Sequence, residues 1–345
     1  MDKSDITGAA VVAGIVGAAG AAAAGIGALI LFEKTLPRPK GTSDDIIAEF
    51  ADPEKMQEYM VNMAPVGEWM EKQSLEDIYI IARDGIRLHA LYLAAAEKSD
   101  RLVILHHGFT SKAADNSVHA KFFHDMGYEV LMLDLRAHGE SEGEYVGFGI
   151  LDRYDTLKWV QYAKNRFGED TRIVLHGTSM GAATVLMALG LDEIQNSVSA
   201  VIADCAYTSP AEIFAHVIKT KYHIPSFPVM QINGLMSKRK VGYTFDEYST
   251  KTALQVNRKV PVLLIHGAED KFVPTQMSRE NYEVCQSKKQ LLIVENAGHG
   301  SSVFEDEELY EATERAFLDE ALGSQEGSVK ETQYGVPKDT SEPDI

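Results

Sequence analysis

Gly177-Thr178-Ser179-Met180-Gly181 is the stretch of this chain that carries the most chemistry. An apolar run, Arg172-Ile173-Val174-Leu175-His176, precedes it, and a helix-forming run, Ala182 to Gly190, follows. A strand, a G-x-S-x-G turn and a helix make the pattern of a nucleophile elbow, in which small residues flank a serine held out at a strand end. A serine hydroxyl is a weak nucleophile at neutral pH. It needs a base to take its proton, an acid to hold that base in one tautomer, and donors for the oxyanion that follows attack. Alone, the pentapeptide also fits a glycine-rich turn whose serine merely caps the helix. The rest of the chain decides between the two.

Each missing part stands after an apolar run. The candidate base is His299, in Asn296-Ala297-Gly298-His299-Gly300. The candidate acid is Asp270, in His266-Gly267-Ala268-Glu269-Asp270-Lys271-Phe272-Val273-Pro274, with Glu269 and then Asp204 as rivals. The order Ser179, Asp270, His299 is one of the known chain orders of such a triad. The oxyanion donors are expected to be two backbone amides. One is Met180 N–H, next to the nucleophile; the other is Phe109 N–H, in His107-Gly108-Phe109-Thr110 after another apolar run. His106 and His107 have no third ligand at metal-binding spacing. No Cys/His cluster suits zinc and no glycine-rich phosphate loop opens a helix, so neither metal nor cofactor is expected.

These residues need a scaffold that sets strand ends side by side. Apolar runs at 78–81, 88–93, 102–105, 130–133, 173–175, 201–202, 262–265 and 291–294 read as strands. Asp84-Gly85 between the first two is a hairpin signal, which predicts an antiparallel edge. Helical stretches at 114–126, 151–167, 182–190, 276–285 and 305–321 separate the others. Strands alternating with helices mean an α/β fold, a mostly parallel sheet with helices on both faces. Its ligands bind beyond the carboxyl ends of the strands, where all the candidates fall. Residues 207–258 break the rhythm: about fifty residues, with Pro210, Pro225 and Pro228 and several aromatic and Met side chains, are too many for a crossover. They read as a helical cap. Lys219, Lys221, Lys238, Arg239 and Lys240 make a basic island within it, read as a solvated face or as a contact for anionic lipid or an acidic substrate.

The termini look different. Ile6 to Phe32 holds no charge over 27 positions, 16 of them Ala or Gly. That length suits a single membrane span, and residues 1–36 are expected to form an anchor through 6–32. A cleaved export signal, though disfavoured by the lack of a basic start, and a low-complexity soluble segment are the other readings. Lys34, Arg38 and Lys40 follow the run and point it one way across a bilayer, whereas its position near the start suits the other; the side stays open. A linker with short helices is expected over 37–74: one capped by Ser43 or Asp44, one restarting at Asp52-Pro53, and one around Trp69 and Met70 packed under the sheet. The main domain is expected over 75–322, and an acidic unfolded tail over 323–345. A net charge of −18 argues against a nucleic-acid partner. Cys205 and Cys285 are expected to be small buried hydrophobes.

The segments His107-Gly108-Phe109, Asp134-Leu135-Arg136-Ala137-His138-Gly139-Glu140-Ser141, Gly177 to Gly181, Gly267 to Pro274 and Gly298-His299 together resemble the α/β-hydrolase superfamily. The likeness is strongest to bacterial, often membrane-anchored hydrolases related to its prolyl-oligopeptidase-like and Bem46-like groups, and it covers about Leu75 to Leu322. It implies an eight-stranded sheet with a cap, and Ser179, Asp270 and His299 as the triad. It also implies that His138 is structural. A small-molecule ester or acyl substrate is then expected. A peptide or thioester, transfer to another acceptor, and a non-catalytic binding protein on the same scaffold are the alternatives.

Overall fold

The sheet is built from runs too apolar to face water on either side. In the computed structural model, which describes residues 25–40 and 53–323, these become eight strands. They are β1 (Leu75–Ile81), β2 (Arg87–Leu93), β3 (Arg101–His106), β4 (Glu129–Asp134), β5 (Arg172–Thr178), β6 (Val198–Asp204), β7 (Val262–Gly267) and β8 (Lys289–Val294). Their order is β1-β2-β4-β3-β5-β6-β7-β8. The hairpin pairs Leu75 with Leu93 and Ile81 with Arg87, and β2 is also antiparallel to β4. All later pairings are parallel. This is the α/β-hydrolase fold that the sequence implied.

Every residue of β3 is buried, as expected of a strand covered on both faces. Successive side chains serve opposite cores. Ile104 and Leu175 face one cluster with Trp159 and Leu186, and Val103 and Val174 face another with Phe123 and Tyr310. The helices are α1 (residues 25–35), α2 (Pro53–Glu71), α3 (Ser117–Asp125), α4 (Asp152–Phe167), α5 (Met180–Ala188), α6 (Asp192–Ser197), α7 (Pro210–Lys221), α8 (Ser226–Lys240), α9 (Thr250–Val256), α10 (Thr275–Val284), α11 (Ser302–Glu305) and α12 (Glu307–Leu322). The segment around Trp69 and Met70 is the end of the 19-residue α2, longer than the short helix expected, and it packs on α3.

Between β6 and β7, α9 packs against α5 and α10, as a crossover helix would. The helices that stand over the strand ends are α7 and α8. They hold α1: Ala28 and Leu31 pack with Ile218 and Val229, and Asn233 Nδ2 donates to Ala28 O at 3.0 Å. Phe32 and Leu36 reach the main core. The last third of the uncharged run is therefore in contact with protein. No helix among the described residues is long and apolar enough to cross a membrane. Residues 6–24, the helix expected from Ser43 or Asp44 and the tail beyond Gly323 lie outside the described residues.

Candidate active site

Ser179 sits where β5 turns into α5, with φ 55° and ψ −112°. That backbone costs about 1–3 kcal/mol for a residue with a side chain. Surrounding contacts hold it: Ser179 N–H donates to Asp204 O at 2.8 Å, tying the turn to the end of β6. The flanking glycines are required by space. A Cβ on Gly177 would fall 2.4 Å from the backbone of Gly181, and one on Gly181 would fall 2.1 Å from His106 O. The elbow thus packs directly on the end of β3.

His299 Nε2 lies 2.9 Å from Ser179 Oγ, and His299 Nδ1 lies 2.7 Å from Asp270 Oδ2. With Nδ1–H donated to the carboxylate, Nε2 is left as an acceptor for the serine proton. The loops after β7 and β8 are laced to make this meeting. Glu269 N–H donates to Ala297 O at 2.9 Å, and a Cβ on Gly267 would fall 2.3 Å from that same oxygen.

Asp270 is saturated. Its Oδ1 accepts from Phe272 N–H and Val273 N–H, both at 2.9 Å, and its Oδ2 faces His266 Nε2 at 3.1 Å as well as His299. Burial would raise its pKa, but the charges and hydrogen bonds of His299 and His266 win and hold it below the usual carboxylate range. His299 feels the reciprocal pull. Burial pushes its pKa down, and the charge and hydrogen bond of Asp270, with a further push from Asp204, bring it out above 6.5.

The rival acids go elsewhere. The Glu269 side chain is exposed. Asp204 faces Tyr310 OH at 3.3 Å and Ser302 Oγ at 3.4 Å, and burial pushes its pKa up to about 6. Cys205 is buried, and its thiol, an Asp270 oxygen and a His299 nitrogen lie within 4.8 Å of one another. A metal there would compete with the Asp270–His299 hydrogen bond for the same carboxylate. His106 is turned away, against Thr156 and two carbonyls.

The expected oxyanion donors meet Ser179 from two sides. Met180 opens α5, and a Cβ on Gly108 would lie 3.6 Å from Ser179 Cβ, which brings the Phe109 loop alongside the nucleophile. Neither Phe109 N–H nor Met180 N–H donates to a protein acceptor among the described residues. The loop is held by two histidines, His138, which the resemblance implied to be structural, and His107, whose part the sequence did not disclose. His138 Nδ1 faces Arg136 O at 2.9 Å, so its Nε2 accepts Thr110 N–H at 3.2 Å. His107 Nε2 accepts Leu135 N–H at 3.0 Å. Burial lowers both pKa values, His138 to about 3, which keeps these nitrogens free as acceptors. Arg136 fixes the β4 loop from below through Asp155 at 2.7 Å and Asp84 at 2.9 Å. His266 was likewise missed. Its only sequence signal is its position at the end of β7, four residues before Asp270.

Aromatic rings surround the approach. Phe272 packs edge-on to His299 at 5.0 Å, Phe109 lies 5.4 Å from Phe148, and Phe148 lies 4.9 Å from Phe214 of α7.

Comparisons with known proteins agree with this fold. A family model described as serine aminopeptidase, S33 matches residues 97–241. The uncharacterised protein YqkD of Bacillus subtilis is 30% identical over 298 residues, 86% of this chain and 92% of that protein. Human protein ABHD12B is 26% identical over 201 residues, 57% of this chain and 53% of its own length. The solved structure of the Pyrococcus furiosus esterase Pf2001 superposes with a TM-score of 0.59 at 25% identity, covering 73% of this chain and 94% of that one.

Proposed function

The chain belongs to the α/β-hydrolase superfamily, and on that footing we propose that it cleaves a carboxylic ester through an acyl-Ser179 intermediate. The observation that carries the reading is the continuous relay from Ser179 Oγ to His299 at 2.9 Å and from His299 to Asp270 at 2.7 Å. His299 Nε2 takes the serine proton as Oγ adds to the ester carbonyl carbon. The oxyanion is received by Met180 N–H and Phe109 N–H. The imidazolium, steadied by Asp270, then gives its proton to the leaving alkoxide, and the C–O bond breaks. Water enters, loses a proton to His299 and attacks the acyl carbon. The acid leaves and Oγ regains its proton.

The family model's description favours a second reading, cleavage of a peptide bond at a free amino end. That chemistry calls for an acidic group to hold the substrate's ammonium. Phe272, which packs on His299, and the pair of Phe148 with Phe109, on the loop beside Ser179, are apolar and suit an acyl chain better. The resemblance of the fold to an esterase adds to the ester reading. Thioester cleavage and transfer to an acceptor other than water would use the same residues.

The test is Ser179→Ala in the purified chain, assayed with p-nitrophenyl esters and aminoacyl p-nitroanilides. Loss of ester turnover and of fluorophosphonate labelling is expected, with anilides turned over poorly by the parent. Full ester activity in folded Ser179→Ala protein would overturn the mechanism, and preferred anilide cleavage would overturn the substrate class.

A further inference from the structure

We propose that the tip of the cap, where α7 passes into α8, is a docking surface for an anionic lipid bilayer. The tip is apolar where a solvated turn should be polar. Tyr222 and Ile224 are about two-fifths exposed, at 39% and 42%, and Phe227, where the chain kinks in an extended conformation, is 71% exposed. Lys219 and Lys221 precede these side chains, and Lys238, Arg239 and Lys240 close α8. Aromatic and aliphatic side chains preceded by lysines, with a further basic cluster at the far end of α8, match the composition of a membrane interface, where rings sit at headgroup level and cations meet anionic lipid. In a chain with a net charge of −18, this local reversal of sign singles out the cap as the face that an anionic surface would accept.

The path of the chain supplies the second argument. A Cβ on Gly27 would lie 3.8 Å from Val229, two residues beyond Phe227, so α1 enters beside the tip. Its outward residues Ile26 and Ile30 extend the exposed apolar surface there. The nineteen residues before it, 6–24, carry no charge. A segment of that composition joins the chain at Gly25, the start of the helix that lies beside the lysine-preceded apolar tip. A bilayer is the partner that satisfies both, whereas a protein partner would explain only the tip. The same end carries the strand termini and Ser179, so docking would bring the candidate site up to lipid. That consequence for the substrate rests on the ester reading; the docking does not.

The test uses the full chain with an environment-sensitive NBD label at Phe227→Cys, repeated at Tyr222→Cys in case one variant folds poorly. The native Cys205 and Cys285 are buried. A matching label at Lys98→Cys, exposed before β3 at the opposite end of the sheet, is the control. With vesicles of equal phosphatidylcholine and phosphatidylglycerol, the cap label should shift to shorter wavelength and be quenched by nitroxide lipids, while the control label should not. Lys219→Gln with Lys221→Gln should weaken the response roughly fivefold per lysine removed. Vesicle binding with a water-exposed cap label would overturn the proposal, because residues 6–24 alone would then hold the protein. An equal shift without lipid would show self-association and overturn it too, as would a failure to bind vesicles.

Discussion

Replacing Asp270 with Asn tests the relay at the atom that sets it. The carboxylate has two distinct ends. Oδ1 accepts from Phe272 N–H and Val273 N–H, and Oδ2 faces His299 Nδ1 and His266 Nε2. An Asn side chain must choose which end keeps its oxygen. With the oxygen toward the two amides, its NH₂ meets His299 Nδ1 and forces the proton onto Nε2. That nitrogen can then no longer take the serine proton. The productive flip turns NH₂ onto two buried backbone donors, which costs about 1–3 kcal/mol for each. The pair amounts to about 2–6 kcal/mol, or roughly 30-fold to 10⁴-fold fewer molecules with a working base, at 1.36 kcal/mol per tenfold. The rate constant for fluorophosphonate labelling of Ser179 reads this without knowledge of the substrate. It should fall within that range in Asp270→Asn, while Asp204→Asn should change it far less. Labelling of folded Asp270→Asn within threefold of the parent, or a larger loss in Asp204→Asn, would refute the assignment of the acid.

Further outcomes follow from the same geometry. Activity requires neutral His299, whose pKa is raised by Asp270 against the effect of burial, so kcat/KM should climb with pH through an apparent pKa above 6.5. In Asp270→Asn the upward pull of Asp270 is gone and burial is opposed only by Asp204, so the residual activity should titrate at a lower pH than in the parent; a pH–rate profile of both proteins checks the sign. Two helical glycines should respond in opposite directions to alanine in denaturant unfolding. Gly234→Ala meets nothing within 4 Å and should gain about 0.5–1 kcal/mol, whereas Gly181→Ala drives a Cβ onto His106 O and should lose about 1–3 kcal/mol. His138→Ala removes the acceptor of Thr110 N–H and should lower kcat about tenfold with a smaller change in KM, with partial recovery in His138→Gln, as steady-state kinetics would measure.

Much of the fold could be read because its signals are local. Continuous apolar strands such as Leu102 to Leu105, and a hairpin marked by Asp84-Gly85, announce themselves within a few residues. Ser179 was legible for the same reason: the steric demand at Gly177 and Gly181 writes a fixed spacing into the chain. Asp270 and His299 were found through order and context, yet the choice of Asp270 over Glu269 and Asp204 was not local. It depends on which carboxylate the laced loops after β7 and β8 turn inward. His107 and His266 were harder still. Each acts through one ring nitrogen on a partner that only the folded chain brings near, and such a histidine has no sequence pattern of its own. The cap was recognised by excess length and proline content, but the division between α9, which packs on α5 and α10, and the outlying α7 and α8 follows from tertiary contacts. The uncharged N-terminal run hid the packing of its last residues, since nothing in an Ala/Gly-rich sequence singles out the side chains that enter a protein core.

That packing governs how a shortened form of the protein must be cut. A chain starting after Lys40 would look like the catalytic domain freed from a leader, but it would be missing part of its own interior. Ala28, Phe32 and Leu36 are fully buried, and Leu31 nearly so. Exposing the surface that these side chains cover would forfeit roughly 5–9 kcal/mol of apolar transfer energy, comparable to the whole stability of an ordinary domain. Leu36 O also accepts Val146 N–H, and Arg38 N–H donates to Glu144 O, so residues 36–38 brace the loop that follows β4. A cut that keeps these contacts must leave α1 in place, and α1 belongs to the folded body as much as any strand does.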